Sequence, residues 1–186
     1  FMKKWTRMIA AASVLGLVLA GCGEKDNNDN PKVEINIKDY GTIKAELNPE
    51  QAPITVENFI SLAEEGFYDG LTFHRIMGGD PLGNGTGGSE ETIKGEFSQN
   101  GVNNTISHKK GTLSMARSQA PDSASSQFFI VDEDSTFLDG QYAAFGHVTD
   151  GLEIVDEICS EAKVIDDNGT VLPENQPIIE SIKVIK

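Results

Sequence analysis

Three short segments carry the side chains with chemistry to offer. Phe73-His74-Arg75 sets a guanidinium beside an aromatic, and in Leu113-Ser114-Met115-Ala116-Arg117 small and apolar residues lead up to an arginine. Ser126-Gln127-Phe128-Phe129-Ile130-Val131 adds an amide and two more aromatics. One fixed cation and one amide among apolar groups suit a reaction that breaks no covalent bond, namely rotation about the peptide bond preceding proline. That rotation meets a barrier of about 18–20 kcal/mol, because the C–N bond has partial double-bond character. Unaided, it takes on the order of tens to hundreds of seconds. A catalyst need only hold the twisted state more tightly than either planar state. In the twisted state the prolyl nitrogen regains its lone pair and accepts a guanidinium N–H. Hydrogen bonds involving a charged group contribute roughly 1.5–3 kcal/mol.

Other chemistries find less support. His74, His108 and His147 stand far apart and lack the paired spacing of metal ligands. Ser114 and Ser126 show no base arrangement in the sequence, which argues against a serine hydrolase. Gly83-x-Gly85-x-x-Gly88 fits a dinucleotide pattern on paper, but it follows a turn-rich stretch, no helical pattern comes after it, and no Lys-Ser/Thr completes a phosphate loop. Asp132-x-Asp134-x-Thr136 hints at a calcium loop, yet Phe137 stands where glycine is needed. No cofactor or metal is implied. Cys159 fits an apolar helix face and reads as a core residue rather than a reactive thiol.

The elements that must position these groups follow from periodicity. Val33, Ile35 and Ile37 alternate with polar residues, as do Ile43, Ala45 and Leu47 beyond the Asp39-Tyr40-Gly41 turn, so a hairpin is expected. Val56, Phe59, Ile60 and Ala63 recur at helical spacing, with Thr55 the expected N-cap and Gly66 the stop. Strand-like runs follow at Thr72–Ile76, Thr112–Ala116, Gln127–Val131 and Ala143–Val148. Leu152, Val155, Ile158 and Cys159 predict a second helix, and Ile178 to Ile185 a closing strand. Many short strands, two isolated helices and no βαβ alternation predict a mainly β antiparallel barrel or sandwich. Phe128 and Phe129 are neighbours on a strand and must face opposite sides.

The N-terminus reads as an export leader. Lys3, Lys4 and Arg7 precede the apolar stretch Ile9 to Leu19. At about eleven residues that stretch falls short of the roughly twenty a membrane-spanning helix needs. Leu19-Ala20-Gly21-Cys22 resembles the lipobox of bacterial lipoproteins, which implies cleavage before Cys22 and lipidation of its thiol. The expected organisation is a signal peptide over 1–21, a flexible tether over 22–31 and one domain over 32–186. The tether segment GEKDNNDN offers no apolar surface to offset its ordering entropy. The formal charge of −14 excludes a basic nucleic-acid-binding face. It also implies that lipid on Cys22, not the protein surface, would hold the chain to a membrane. Nothing in the sequence suggests an obligate interface, and a monomer is expected.

Several motifs occur in one order: Asn58-Phe59, Phe67-Tyr68-Asp69-Gly70, Phe73-His74-Arg75, Gly78-Gly79-Asp80, Gly111-x-Leu113-Ser114-Met115-Ala116, Ser126-Gln127-Phe128-Phe129 and Leu138-Asp139-Gly140. Together they resemble the cyclophilin-type peptidyl-prolyl cis–trans isomerases, from about Val33 to the C-terminus. The resemblance implies an eight-stranded antiparallel barrel capped by two helices, and proline-containing polypeptides as substrates. Given the leader, those substrates would be exported proteins. It implies Arg75 as the catalytic donor and Phe129 as the floor of the proline pocket. Leu138 and Tyr142 would form the pocket walls, and Gln127 would bond the substrate backbone. Ala116 would line the subsite preceding proline, Gly85 and Thr86 would edge the groove, and Met77, Met115 and Phe137 would complete the contacts.

Phe137 stands where well-known members have Trp, which implies weaker cyclosporin binding, and Tyr142 replaces a His of some members. The larger departure is that only Met77 separates Ile76 from Gly78. The family carries about half a dozen more residues there, enough for a turn and most of a strand of about five to six residues. They supply a pocket Phe and Met and a Gln that orients the arginine. A truncated strand near Met77 and weakened activity are therefore expected. The alternative is a non-catalytic surface chaperone that binds proline-containing segments.

Overall fold

A computed structural model of the chain describes residues 30–75 and 77–185. The expected leader, Cys22 and the tether up to Asp29 lie outside the described residues. No helix among those described is long and apolar enough to cross a membrane.

Strands β1 (Lys32–Ile37) and β2 (Gly41–Leu47) form the predicted hairpin, turned by Asp39 in the left-handed region at φ 66°. Val33 faces Ala45 and Ile35 faces Ile43, and all four are buried, so the alternation of the sequence is the inside and outside of the sheet. The remaining strands are β3 (Met77–Gly78), β4 (Thr112–Met115), β5 (Phe128–Ile130), β6 (Ala144–Asp150) and β7 (Ile179–Ile185). They form one curled antiparallel sheet in the order β3-β5-β4-β6-β2-β1-β7.

Seven strands are present among the described residues, not eight. Within the expected run Thr72–Ile76, the described residues contribute only isolated bridges, where Thr72 pairs both with Asp80 beside β3 and with Ile178 beside β7. Phe73 N donates to Pro177 O and His74 N to Met77 O, so the backbone turns here instead of extending along a ladder. Among the described residues the edge strand β3 is two residues long.

Helix α1 (Pro53–Glu64) packs Val56, Phe59 and Ala63 against the sheet. Phe59 sits between Tyr68, Phe128 and Phe145 at ring-centroid distances of 5.2, 5.2 and 5.1 Å. Thr55 is not the N-cap, since the helix begins two residues earlier, with Pro53 supplying a pre-set φ at its first position. The open backbone donors are met from outside. The buried Glu96 carboxylate accepts from Ile54 N (3.1 Å), Thr55 N (2.8 Å) and Thr55 Oγ1 (2.7 Å). Helix α2 (Leu152–Glu161) follows Gly151, whose φ of 83° sets the entry, and buries Val155. Near β3, a Cβ on Gly79 would run into the Ser126 carbonyl at φ +86°, so only glycine lets this edge approach β5.

Candidate active site

Alternation along β5 divides its two aromatics. Phe128 is fully buried against Phe59, Tyr68 and Phe73. Phe129 faces the other way and lines a cavity of about 520 Å³. Around the same cavity stand Arg75, Met77, Ala116, Leu138 and Tyr142. The Phe129 ring meets Tyr142 edge to face at 6.1 Å, and register sets Met77 directly opposite Phe129. A second cleft of about 290 Å³ shares Arg75, Met77 and Ala116 and extends to Gly85, Thr86 and Gln127.

That cleft is built on the Gly-rich loop. The buried Asp80 carboxylate accepts from the backbone N–H groups of Leu82, Asn84 and Gly85. Burial alone would raise the Asp80 pKa, but these donors together hold it below the ordinary carboxylate value. Gln127 Nε2 donates to Gly87 O at 2.6 Å, which ties the loop to β5.

Two expected contact residues lie elsewhere. Met115 is buried in the core, because β4 is covered on both faces and Met115 pairs with the inward Phe128. Phe137 is 73% exposed on a short 3-10 turn and lines neither cavity. Cys159 is half-buried at the cavity rather than enclosed in the core. Burial first, then the Asp132 charge, pushes its thiol up to about 11. Among the described residues, no group of three His, Cys, Asp or Glu could hold a metal ion.

A second guanidinium stands at the cavity and escaped the sequence reading. Arg117 lies 4.7 Å over the Tyr142 ring and 5.0 Å over Phe97. Its Nε and Nη2 donate to Gln141 O, and Nη1 donates to Ser118 O. Arg117 is thereby committed to the wall. Arg75 differs: its Nε is buried with no hydrogen-bond partner among the described residues. Arg75 also adds a small stabilisation to the Asp166 carboxylate, whose lowered pKa owes most to the backbone N–H and hydroxyl of Thr170.

The serines also need correction. Ser114 does have a base arrangement: its Oγ is 2.9 Å from His108 Nε2, while His108 Nδ1 is 2.9 Å from Asp139 Oδ1. The order matches a hydrolytic triad, but Ser114 and His108 are fully buried and neither lines either cavity. The chain is structural. It fastens the turn carrying Leu138 to β4, and the His108 ring stacks behind Phe129. Residues 31 apart in sequence meet here, so spacing gave no signal.

Residues 32–184 match the family model described as cyclophilin type peptidyl-prolyl cis-trans isomerase/CLD. The chain is 50% identical over 123 residues to peptidyl-prolyl cis-trans isomerase B of Bacillus subtilis, covering 63% of this chain and 82% of that protein. It is 36% identical over 155 residues to the Escherichia coli isomerase B, covering 78% and 94%. Among solved structures, a cyclophilin type isomerase of Cryptosporidium parvum, crystallised in the presence of the dipeptide Ala-Pro, aligns with a TM-score of 0.72. Sequence identity to it is 30%, and the alignment covers 83% of this chain and 99% of that one. The chain belongs to the cyclophilin-type peptidyl-prolyl cis–trans isomerases.

Proposed function

We propose that this isomerase catalyses rotation through Arg75, whose guanidinium donates to the prolyl nitrogen while the ring rests on Phe129. The observation that carries this reading is the contrast between the two arginines of one cavity. Arg117 spends its donors on carbonyls, and Arg75 keeps a buried donor unspent. An unpaired buried donor costs about 1–3 kcal/mol. A twisted imide offers it an acceptor that the planar ground state lacks, which is differential binding in favour of the transition state. Leu138 and Tyr142 would wall the ring, and Gln127 would meet the backbone before proline, with Ala116 admitting varied side chains. The Ala-Pro dipeptide of the Cryptosporidium relative fits substrates of this kind.

The same unpaired Nε and the two-residue β3 support reduced activity relative to a member with the full strand. Among the described residues no partner holds the Arg75 Nε, and a misplacement of about 1 Å can cost roughly a hundredfold in rate. Insertion of the missing half-dozen residues before Gly78 should raise kcat/KM; equal rates would show them dispensable. These two features also favour the second reading, a chaperone that binds proline segments without turning them over.

The clients are exported proteins, met at the outer face of a membrane to which lipid on Cys22 tethers a monomer. The supporting features are the leader Lys3 to Gly21 and the acidic chain, which anionic lipid would repel. Incorporation of labelled fatty acid in cells, abolished by Cys22→Ser, tests the anchor. Exchange spectroscopy on an Ala-Pro peptide, with Arg75→Ala beside the unaltered chain, tests the chemistry.

A further inference from the structure

We infer that Gln176 is a positioning residue for the substrate cleft: its buried side-chain amide holds the Gly-rich loop at the edge of that cleft to the segment carrying Arg75. This deepens the reading above and rests on it, since it takes the backbone before proline to run through the cleft. Gln176 is buried and lines neither the cavity nor the cleft, so it acts through its partners. Its carboxamide is fully engaged. Nε2 donates to Gly83 O at 3.0 Å and to Val171 O at 2.9 Å, and Oε1 accepts from the Thr72 hydroxyl. Two carbonyls and a hydroxyl fix the orientation of the amide, because a flipped amide would set its oxygen against both carbonyls.

The three partners belong to three parts of the site. Gly83 stands in the loop whose residues Gly85, Thr86 and Gly87 edge the cleft. Val171 lines the cavity, and its N–H donates to His74 O, next to Arg75. Thr72 leads into His74 and Arg75, and its backbone bridges Asp80 and Ile178.

The loop needs such a hold. Gly83, Gly85, Gly87 and Gly88 leave its backbone little restraint of its own. Ser126 fixes its two ends, since Oγ donates to Gly79 O at 2.7 Å and accepts from Ser89 N at 3.0 Å. Asp80 gathers Leu82, Asn84 and Gly85 from the root of the same loop. Among the described residues, the stretch from 81 to 88 takes side-chain bonds from outside the loop at two places. Gln127 donates to Gly87 O and Gln176 to Gly83 O. Gln127 is the amide assigned to the substrate backbone, so an arriving chain competes with Gly87 O for it. Gln176 then remains as the loop's hold. Gly83 is fitted closely to this bracket: its φ is +61°, and a Cβ there would come to 3.2 Å from Gln176 Oε1.

The test uses the full chain and two blocked peptides, Ala-Pro, which reaches the pocket alone, and Ala-Ala-Ala-Pro, whose added residues reach the cleft. Kd is read by NMR titration and turnover by exchange spectroscopy. The unaltered chain should prefer the longer peptide. Gln176→Met, which keeps a long side chain and removes the amide, should lower that preference about two- to tenfold, the range of one neutral hydrogen bond. The change should fall on KM for the longer peptide, with kcat for Ala-Pro held within about twofold. Thr72→Val removes one hydroxyl and keeps the backbone bridges of Thr72. It should shift the ratio the same way, and it decides the matter where Gln176→Met does not fold. An amide that serves stability alone would lower both peptides alike, so a ratio unchanged in the folded variants overturns the inference. Turnover of both peptides with equal Kd by the unaltered chain also overturns it and leaves the isomerase reading intact. A length preference in Kd that Gln176→Met lowers, without turnover by the unaltered chain, keeps the bracket and removes Arg75 catalysis.

Discussion

The rings of His108 and Phe129 lie 6.2 Å apart and 18° from parallel, so the floor of the cavity rests on a buried histidine. The same histidine holds Asp139 at one nitrogen and Ser114 at the other, and Asp139 neighbours the wall residue Leu138. Asp139 would have its pKa raised by burial, but donors from His108 and Ser107 outweigh this and keep it low. His108→Ala should therefore loosen floor and wall together. It leaves the buried Ser114 hydroxyl without its partner, at about 1–3 kcal/mol, while Asp139 keeps donors from His108 N and Ser107 Oγ. Denaturant titration should show the stability loss and kinetics a raised KM. Ser114→Ala should not change any rate toward activated esters, since Ser114 is buried and lines neither cavity.

Arg117→Ala removes the cation over Tyr142 and the two bonds to Gln141 O. The wall would then be free to swing. KM for an Ala-Pro peptide should rise several-fold, consistent with cation–π contacts of about 0.5–2 kcal/mol, while kcat changes less. A loss confined to kcat would instead mark Arg117 as a direct participant.

This division of labour between two arginines was not legible in the sequence, whereas much around it was. The β1–β2 hairpin, α2 and the split of Phe128 from Phe129 all follow from periods of two or 3.6, which act between neighbours. Arg117, Glu96 and the Ser114–His108–Asp139 chain depend on contacts between distant segments, and their spacing carries no periodic signal. Thr72–Ile76 misled for a related reason. Its composition suits a strand, but Phe73 N and His74 N donate to Pro177 O and Met77 O, so the described backbone turns here instead of pairing along a ladder. Met115, expected at the site from the resemblance, is instead buried in the core, since β4 is covered on both faces.

Glu96 closes helix α1 from 41 residues away and is itself buried. Glu96→Ala should strand three donors and cost about 1–3 kcal/mol. Chemical denaturation reads this directly. A change below about 0.5 kcal/mol would mean that water replaces the carboxylate without penalty.

His74 is buried, with both ring nitrogens unpartnered among the described residues. Burial is the main cause of its lowered pKa, reinforced by Arg75 and opposed by Asp80. The unfolded chain therefore binds a proton near pH 6.5 that the folded chain refuses until lower pH. Stability from this residue is present above pH 6.5 and falls as pH drops below it toward the folded pKa. His74→Leu should flatten that limb of the stability–pH curve; an unchanged slope between pH 5 and 6.5 would assign it to other groups.

The most direct measurement is the exchange rate of an Ala-Pro peptide with Arg75→Ala, read alongside its Kd. Loss of about 1.5–3 kcal/mol of transition-state bonding predicts roughly a ten- to hundredfold fall in kcat/KM, with Kd changed less than threefold. An Arg75→Ala chain that turns the peptide over at the rate of the unaltered protein would contradict the assignment of catalysis to this guanidinium.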